Sequence, residues 1–311
     1  MSDLRAAAAD YLTIRRAVGF KLKRGEHLLF DFVDYLESQG ATSITCQLAL
    51  AWATRPAGAT VGWWTSRLCV VRCFARHMSS IDPDTQVPPL DMLPRANAGG
   101  ARATPYLYSA DDLAALMAAA RAVPTPLAAA TSETLIGLLA VTGMRVGEAL
   151  RLDRDDIEWD RGLLRVRDSK FNRSREVPLH PTTLDALKAY ARVRDERFPM
   201  PASPAVFVST TGGRLAYRTV NWRFDRLVRA AGLKPRSARC RPRLHDFRHT
   251  FACATLEDWY SGDDDVQSRL PLLSIFLGHV DPASTYWYLS GKPELLALAA
   301  GRLEACLGTL P

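Results

Sequence analysis

The sequence lacks the features that mark membrane and secreted proteins. Among its 311 residues there is no apolar run close to the roughly 18 residues that a membrane-spanning helix needs. The first 19 residues carry five charged side chains, which interrupt any apolar stretch of the kind found in a secretory signal. The six cysteines form no Cys-x-x-Cys pair and no spacing typical of a zinc site. We therefore expect a reduced, cytoplasmic protein without a membrane partner.

The motifs of nucleotide-binding and metal-dependent enzymes are also missing. The sequence contains no P-loop and no His-Glu-x-x-His string. Three acids stand together from Asp263 to Asp265, but consecutive residues cannot all face one metal ion. We interpret this run as a solvated loop, which is consistent with an activity that uses no metal and no cofactor.

Lysine is scarce, with 6 lysines against 34 arginines, and the formal net charge is +7. Much of the positive charge lies between Arg214 and Arg243, where ten basic residues accompany a single acid, Asp225. Aromatic residues such as Trp222 stand among these charges, as they often do on phosphate-binding surfaces. The pattern favours a polyanionic partner, with a solvated loop as the alternative.

The length and the composition, with 48% apolar and 23% charged residues, indicate about two globular domains. Apolar residues at helical spacing predict four helices before residue 79, the last over 61–78. Five prolines and a Gly-Gly pair between Ser79 and Pro105 predict a linker, because proline blocks the continuation of a helix. We place the boundary near residue 100, which gives domains over 1–100 and 101–311.

The second domain is predicted to combine helices with a small sheet. Ser109 can cap a helix, and another helix is expected over 132–141. Three short extended runs at 157–159, 163–167 and 174–179 are separated by turn residues, which predicts antiparallel strands. The fold class is therefore mainly α with a small antiparallel β-sheet, and the second domain is of the α+β type.

Four strings in the second domain carry arginine, lysine, histidine and tyrosine at set distances: TGMRVGEALRL, SKFNRSREVPLH, LHDFRHTFA and LGHVDPASTYWYL. Together and in this order, they resemble the motifs of the tyrosine recombinases, the family of phage integrases and Xer-like proteins. The resemblance covers about residues 105–290. It implies a C-terminal tyrosine-recombinase catalytic domain over 101–311. It also implies an N-terminal helical core-binding (SAM-like) DNA-binding domain over 1–100.

Residue by residue, the resemblance assigns the family's catalytic positions to Arg145, Lys170, His245, Arg248, His279 and Tyr288. Tyr288 matches the nucleophile by its distance from His279, whereas Tyr286 is the alternative two residues earlier. Glu148 follows Arg145 by three residues and matches an acidic partner, which is expected to orient an arginine or a histidine.

Physical chemistry supports these roles. Attack on a phosphodiester builds negative charge on the non-bridging oxygens, and the guanidiniums of Arg145 and Arg248 are permanent, fork-shaped cations suited to it. Because a phenol has a pKa of about 10, Tyr288 needs a proton acceptor at neutral pH, and His245 is expected to supply it. Lys170 is expected to protonate the departing 5′ oxygen, since lysine gives up a proton more readily than arginine. His279 is expected to hydrogen-bond the phosphate or to align the other groups.

The resemblance implies site-specific recombination, in which DNA strands are cleaved and rejoined through a 3′-phosphotyrosine link during integration, excision or transposition. The implied partners are double-stranded DNA and further recombinase subunits, in a homo-tetramer or a hetero-tetramer with related recombinases. Two alternatives are a relaxase resembling type IB topoisomerases and a DNA-binding protein that has lost catalysis. The filled catalytic positions argue against the second alternative.

Further basic residues are expected to contact DNA phosphates, which adds affinity and salt sensitivity but little sequence choice. In the N-terminal domain these residues are Lys21, Lys23, Arg24, Arg67, Arg72 and Arg76. In the second domain they are Arg214, Arg218, Arg223, Arg226, Arg229 and the arginines between 236 and 243. The helix expected after Tyr288 carries a stripe of leucines, which packs either on its own domain or on a neighbouring subunit.

Overall fold

The computed structural model describes residues 3–94, 104–167, 174–262, 265–279, 281, 283–289 and 293–308. The chain divides into two compact units, Met1–Arg102 and Ala103–Pro311. Each unit has an apolar core of its own. Within the described residues, no helix is both long and apolar enough to cross a membrane.

The N-terminal unit is built from α1 (Asp3–Ala17), α2 (Lys23–Ser38), α3 (Cys46–Thr54) and α4 (Val61–Met78). Thr45 and Thr60 cap the last two helices, because each side chain accepts a hydrogen bond from a backbone N–H of the first turn. The core between the helices is aromatic, with Phe32 and Trp52 in ring contact at 5.1 Å. The apolar spacing of the sequence therefore locates all four helices.

Two arginines of α4 are buried in this core region instead of facing solvent. Arg67 lies over the ring of Trp52 at 3.7 Å, and its Nη2 donates to the Trp52 carbonyl and to Asp31. Arg72 donates to the carbonyls of Pro88 and Pro89, at 2.7 Å each. The prediction that Arg67 and Arg72 contact DNA is therefore wrong, because their guanidiniums are used to hold the unit together.

The second unit contains, in chain order, α5 (Ala110–Arg121), α6 (Pro126–Thr142), α7 (Val146–Ala149), β1 (Ile157–Glu158), β2 (Leu163–Val166), β3 (Arg175–Pro178), α8 (Pro181–Arg197), α9 (Tyr217–Ala230), α10 (Asp246–Ser261), α11 (Val266–Leu277), α12 (Ala283–Tyr286) and α13 (Pro293–Gly308). We call it the catalytic unit, after the catalytic domain that the resemblance implies for residues 101–311.

The three strands form one antiparallel sheet in the order β1-β2-β3. Leu164 in the middle strand pairs with Ile157 on one side and Val177 on the other, and all three side chains enter the core. The prediction of a mainly helical protein with a small antiparallel sheet is confirmed. Helix α6 begins six residues earlier than expected, at Pro126, because proline fits the first position of a helix, where no N–H is needed.

The chain that enters the catalytic unit is tied to the region around the start of α10. Arg243 donates to the carbonyl of Thr104, Cys240 to that of Pro105 and Arg236 to that of Leu107. The ring of Tyr108 stacks on Phe247 at 4.4 Å, and its hydroxyl donates to the Arg243 carbonyl. Each of these contacts reaches α10 or the loop that precedes it.

The last helix, α13, packs on α10. Leu295 is fully buried, and Arg302 donates to the carbonyls of Trp259, Tyr260 and Gly262 at the C-terminal end of α10. Of the two interpretations of the leucine stripe, the structure favours packing on its own unit. In the acidic run, Asp265 caps α11, while Asp263 and Asp264 lie outside the described residues.

Candidate active site

Five of the six predicted catalytic side chains come together in the catalytic unit: just before α7, at the start of α10 and within it, and just after α11 and α12. These are Arg145, His245, Arg248, His279 and Tyr288. Lys170 lies outside the described residues, so its role stays a prediction. Within the described part of the chain, no group of three or more His, Cys, Asp or Glu side chains is arranged to hold a metal ion.

Arg248 is the cation at the centre of the cluster, and its residue is only 2% exposed. Its Nη1 donates to the Gly143 carbonyl at 3.0 Å and its Nη2 to the Leu277 carbonyl at 2.8 Å. Burial lowers the pKa of Arg248 to about 10, which still leaves it charged at neutral pH. The guanidinium is therefore fixed between the turn that leads to Arg145 and the end of α11.

Two glycines make this arrangement possible. Gly143 ends α6 with a φ of +57°, and a Cβ there would lie 2.6 Å from the ring of Phe251. Gly278 ends α11 with a φ of +71°, and a Cβ there would lie 2.8 Å from Nη1 of Arg175. Because both positions combine a left-handed backbone with a close neighbour, only glycine fits without strain.

Glu148 joins Arg145 to a second arginine, Arg175 at the start of β3. One carboxylate oxygen of Glu148 accepts from Arg145 at 2.7 Å, and the other accepts from Arg175 at 2.8 Å. Burial alone would raise the pKa of Glu148, but the hydrogen bonds and charges of the two arginines lower it to about 2. The carboxylate is therefore ionised and holds Arg145, whose other terminal nitrogen donates to the Gly278 carbonyl.

Sequence reasoning missed Arg175, although it stands in the string SKFNRSREVPLH. Its Nε donates to the Phe276 carbonyl at 2.7 Å, so the side chain joins the sheet to the end of α11. In the sequence, Arg175 is one of 34 arginines and nothing sets it apart. Its contacts with Glu148 and Phe276 can be seen only in the folded chain.

The two candidate tyrosines lie in different surroundings. Tyr288 is 3% exposed, and its ring is in contact with those of His279, at 5.8 Å, and His249, at 5.3 Å. Tyr286 is 55% exposed. Burial raises the pKa of Tyr288, while the charge and the hydrogen bonding of Arg248 lower it in part. The structure therefore brings Tyr288, and not Tyr286, to the arginine cluster.

The two predicted catalytic histidines, His245 and His279, are held neutral at pH 7. Desolvation lowers the pKa of His279 to about 4, and the charges of Arg248 and Arg145 act in the same direction. His245 stands at the exposed N-terminus of α10, where partial desolvation and then Arg248 and Arg145 lower its pKa. Neutral imidazoles can accept a proton or donate a hydrogen bond, which suits the roles predicted for both residues.

His249 is a second residue that sequence reasoning missed. It follows His245 by one helical turn, and the two rings meet edge to face at 4.9 Å. Desolvation, followed by the positive charges nearby, lowers its pKa to about 3. Its Nδ1 is buried without a hydrogen-bond partner in the structure. The second histidine in HDFRHT, one helical turn after His245, was the available signal in the sequence.

Helix α9 presents an exposed basic and aromatic face, which we call the α9 face: Tyr217, Arg218, Trp222, Arg226 and Arg229. The guanidinium of Arg226 lies 4.9 Å from the ring centre of Trp222. Arg214 differs, because it donates to the carbonyls of Leu150 and Leu152 and pairs with Asp153. It therefore serves to anchor the loop before α9.

The comparisons with known proteins agree with this geometry. A family model described as "Phage integrase family" matches residues 107–294, the part of the chain that contains the cluster. The protein y4rB of Sinorhizobium fredii (strain NBRC 101917 / NGR234), whose name provisionally assigns it as an integrase/recombinase, is 43% identical over 310 residues. That alignment covers 98% of this chain and 98% of y4rB.

Solved structures show the same fold at low sequence identity. The integrase of transposon Tn1549, solved in complex with transposon right end DNA, aligns with a TM-score of 0.65 at 15% identity. The alignment covers 98% of this chain and 99% of that chain. A lambda integrase tetramer bound to a Holliday junction aligns with a TM-score of 0.56 at 20% identity, over 92% of this chain and 76% of that chain.

Proposed function

The chain belongs to the phage integrase family and is a site-specific DNA recombinase, and we propose that Tyr288 is the nucleophile with which it breaks and rejoins DNA strands. The observation that carries this proposal is the burial of the Tyr288 phenol against the fixed guanidinium of Arg248, between two histidines. A tyrosine that served only for packing would not need a permanent cation and neutral imidazoles around its ring.

The phosphate is bound by the two arginines. Arg248 and Arg145 each donate to main-chain carbonyls, and a guanidinium has five N–H groups, so each arginine has further donors for non-bridging oxygens. Both side chains are held in position before the substrate arrives. Donors that are already aligned with the oxygens stabilise the charge that develops during attack, and they do so without reorganisation.

Cleavage exchanges one phosphate ester for another. The Tyr288 oxygen bonds to phosphorus as its proton passes to His245, while the bond from phosphorus to the 5′ oxygen breaks. The departing 5′ oxygen takes up a proton, for which Lys170 is the proposed donor. The strand is left as a 3′-phosphotyrosine with a free 5′ hydroxyl. Attack by the 5′ hydroxyl of another strand reverses the exchange and releases Tyr288, so no external energy source is needed.

The substrate in this proposal is double-stranded DNA, and the acting form is a tetramer of this chain or of this chain with related recombinases. The lambda integrase tetramer on a Holliday junction supports that assembly by its shared fold. The α9 face supplies exposed arginines for phosphate contacts, and the N-terminal unit is proposed to add its own DNA-binding surface. Integration, excision or transposition of a mobile element in the cytoplasm is the proposed setting.

A nicked suicide DNA substrate tests the nucleophile, because loss of the short fragment beyond the nick traps the covalent adduct. We expect the wild-type chain to form an adduct that denaturation does not dissociate. Tyr288→Phe should abolish the adduct and leave DNA binding intact, whereas the matched variant Tyr286→Phe should retain it. An adduct with Tyr288→Phe, or its loss with Tyr286→Phe alone, would show that the nucleophile is misassigned.

Exchange of strands between two labelled duplexes then separates a recombinase from a relaxase. A recombinase joins strands from different duplexes, whereas a relaxase reseals the strand that it cut. We expect joined products with the wild-type chain, and addition of EDTA should leave both cleavage and exchange unchanged.

A further inference from the structure

A chain of buried hydroxyl groups ends on the imidazole of His279. Ser274 on α11 is 4% exposed, and Thr285 on α12 is 1% exposed. Their hydroxyl oxygens lie 2.6 Å apart, and Oγ1 of Thr285 lies 2.7 Å from Nδ1 of His279. His279 is predicted to hydrogen-bond the phosphate or to align the other groups, but neither hydroxyl has a predicted role, so the predicted chemistry does not account for their burial at this place.

The hydroxyl protons can be arranged along this chain in two ways. In the first, Ser274 donates to Thr285 and Thr285 donates to Nδ1 of His279, so that every hydroxyl proton has an acceptor. In the second, Nδ1 donates to Thr285 and Thr285 donates to Ser274, whose own proton then needs another acceptor. Among the described residues, the side chain of Ser274 has no hydrogen bond besides the one to Thr285. The first arrangement is therefore favoured, because an unpaired buried donor costs free energy.

The first arrangement determines where His279 carries its proton. A neutral imidazole has one N–H, and when Nδ1 accepts a hydrogen bond the proton is on Nε2. His279 is neutral at pH 7, since its surroundings lower its pKa to about 4. Nε2 makes no hydrogen bond to any described residue, and it is the ring nitrogen at the far end from Thr285. The ring therefore offers an N–H donor to a bound ligand.

We propose that Thr285, supported by Ser274, is a positioning residue that fixes the tautomer of His279, so that Nε2–H donates to a non-bridging oxygen of the scissile phosphate. This inference rests on the recombinase function proposed above. Neither hydroxyl touches DNA, and Thr285 acts only through the imidazole. If the hydroxyl of Thr285 is removed, Nδ1 can hold the proton, and the lone pair on Nε2 then faces the phosphate oxygen.

Single-turnover cleavage of the suicide substrate gives the first test. Thr285→Val removes the hydroxyl but keeps the branched shape. We expect cleavage to slow by about 10- to 100-fold, the range usual for hydrogen-bond partners that orient metal-binding histidines. DNA affinity should be unchanged. Thr285→Ser keeps a hydroxyl at this position and should keep most of the wild-type rate. The matched control is Ser284→Ala, at the exposed neighbouring residue. If Thr285→Ser cleaved as slowly as Thr285→Val, the proposal would be overturned.

A double-mutant cycle with His279→Ala shows whether Thr285 works through the imidazole. The two residues are in contact, so their effects need not add. We expect Thr285→Val to slow cleavage in the wild-type chain but to cause no further loss in the His279→Ala background. An equal loss in both backgrounds would indicate a structural role for Thr285 and would overturn the proposal.

The tautomer can be read directly from the DNA-free chain by nitrogen NMR of protein labelled with ¹⁵N-histidine. The chain has 6 histidines, and the signals of His279 are those lost in His279→Gln. We expect the proton on Nε2 in the wild type and its transfer, at least in part, to Nδ1 in Thr285→Val. A wild-type proton on Nδ1, or no change in Thr285→Val, would refute the proposal. This readout needs no catalysis, so it decides the matter even if the wild-type chain formed no adduct and the proposed function failed.

Discussion

Buried arginines occur in both units of the chain, but their neighbours differ. In the N-terminal unit, Arg67 and Arg72 donate to main-chain carbonyls, and the aromatic group beside Arg67 is the packed ring of Trp52. In the catalytic unit, Arg248 is buried more deeply and also donates to two carbonyls, yet it lies against the phenol of Tyr288. Burial and carbonyl partners are therefore common to the arginines of both units. What distinguishes Arg248 is its contact with the phenol of Tyr288, the proposed nucleophile.

The largest effect that follows from this comparison is expected from Arg248→Lys. Lysine keeps the charge, but a single nitrogen cannot reach the carbonyls of Gly143 and Leu277 and also bind phosphate as a fork. We expect single-turnover cleavage to slow by about 10²- to 10³-fold, the usual cost of losing a donor that stabilises developing charge. The matched control is Arg121→Lys, at an exposed ion pair with Glu133. If Arg248→Lys cleaved at close to the wild-type rate, Arg248 would be a structural arginine like Arg67 and Arg72.

The next effect concerns the N-terminal unit. Arg72→Met keeps the length of the side chain but leaves the carbonyls of Pro88 and Pro89 without their donor. We expect the free energy of unfolding to fall by about 1–3 kcal/mol, measured by urea denaturation. The salt dependence of DNA binding should stay the same. If the salt dependence weakened while the stability was unchanged, Arg72 would contact DNA after all.

A third prediction uses the histidines of the catalytic unit. The pKa of His249 in the folded chain is about 3 and that of His279 about 4, both below the ordinary 6.5. As the pH falls below 6.5, the unfolded chain therefore binds protons before the folded chain does, and stability decreases down to the folded pKa values. Each histidine adds a slope of up to about 1.4 kcal/mol per pH unit.

Urea denaturation between pH 7 and pH 4.5 checks this slope. His249→Gln removes one of the two groups, so its stability should depend less steeply on pH than that of the wild type. An unchanged slope would show that His249 is protonated as easily in the folded chain as in the unfolded chain.

The smallest effect is expected at Arg76, an exposed arginine one helical turn after Arg72. Arg76→Met should leave the free energy of unfolding unchanged. If the N-terminal unit binds DNA with this face, one phosphate contact is lost and the slope of log affinity against log salt concentration should decrease by about 0.9. If Arg76→Met lowered the free energy of unfolding and left the salt dependence unchanged, Arg76 would have a structural role like that of Arg72.

The regular elements could be predicted from the sequence because local patterns determine them. The spacing of apolar residues locates α4 with the bounds that the structure has, and Ser109 caps α5 as expected. The turns between 157 and 179 likewise predict the small sheet. The start of α6 was predicted too late, since the segment from Pro126 to Thr131 is rich in alanine and shows little periodicity.

The site could be predicted only in part. Tyr288 and the arginines were predicted as site residues because four strings stand in a familiar order, and the structure brings their side chains together. Arg175 and His249 were missed because their contacts depend on neighbours far away in the chain. Arg175 meets Phe276 from 101 residues away. The burial of Arg67 and Arg72 was missed for a related reason, because a helix seen alone does not show which of its polar side chains will meet carbonyls. The catalytic roles of the site residues, including that of Lys170, and the DNA-binding role of the N-terminal unit stay predictions.

The attachment of residues 104–108 sets a limit on how the chain can be shortened. Several contacts join this segment to the residues from Arg236 to Phe247, and they include the stacked rings of Tyr108 and Phe247. A fragment meant to carry the reactive centre alone should therefore start no later than Thr104. A fragment that starts at Ser109, the residue that caps α5, would lose these contacts to the residues that precede α10, the helix that carries Arg248.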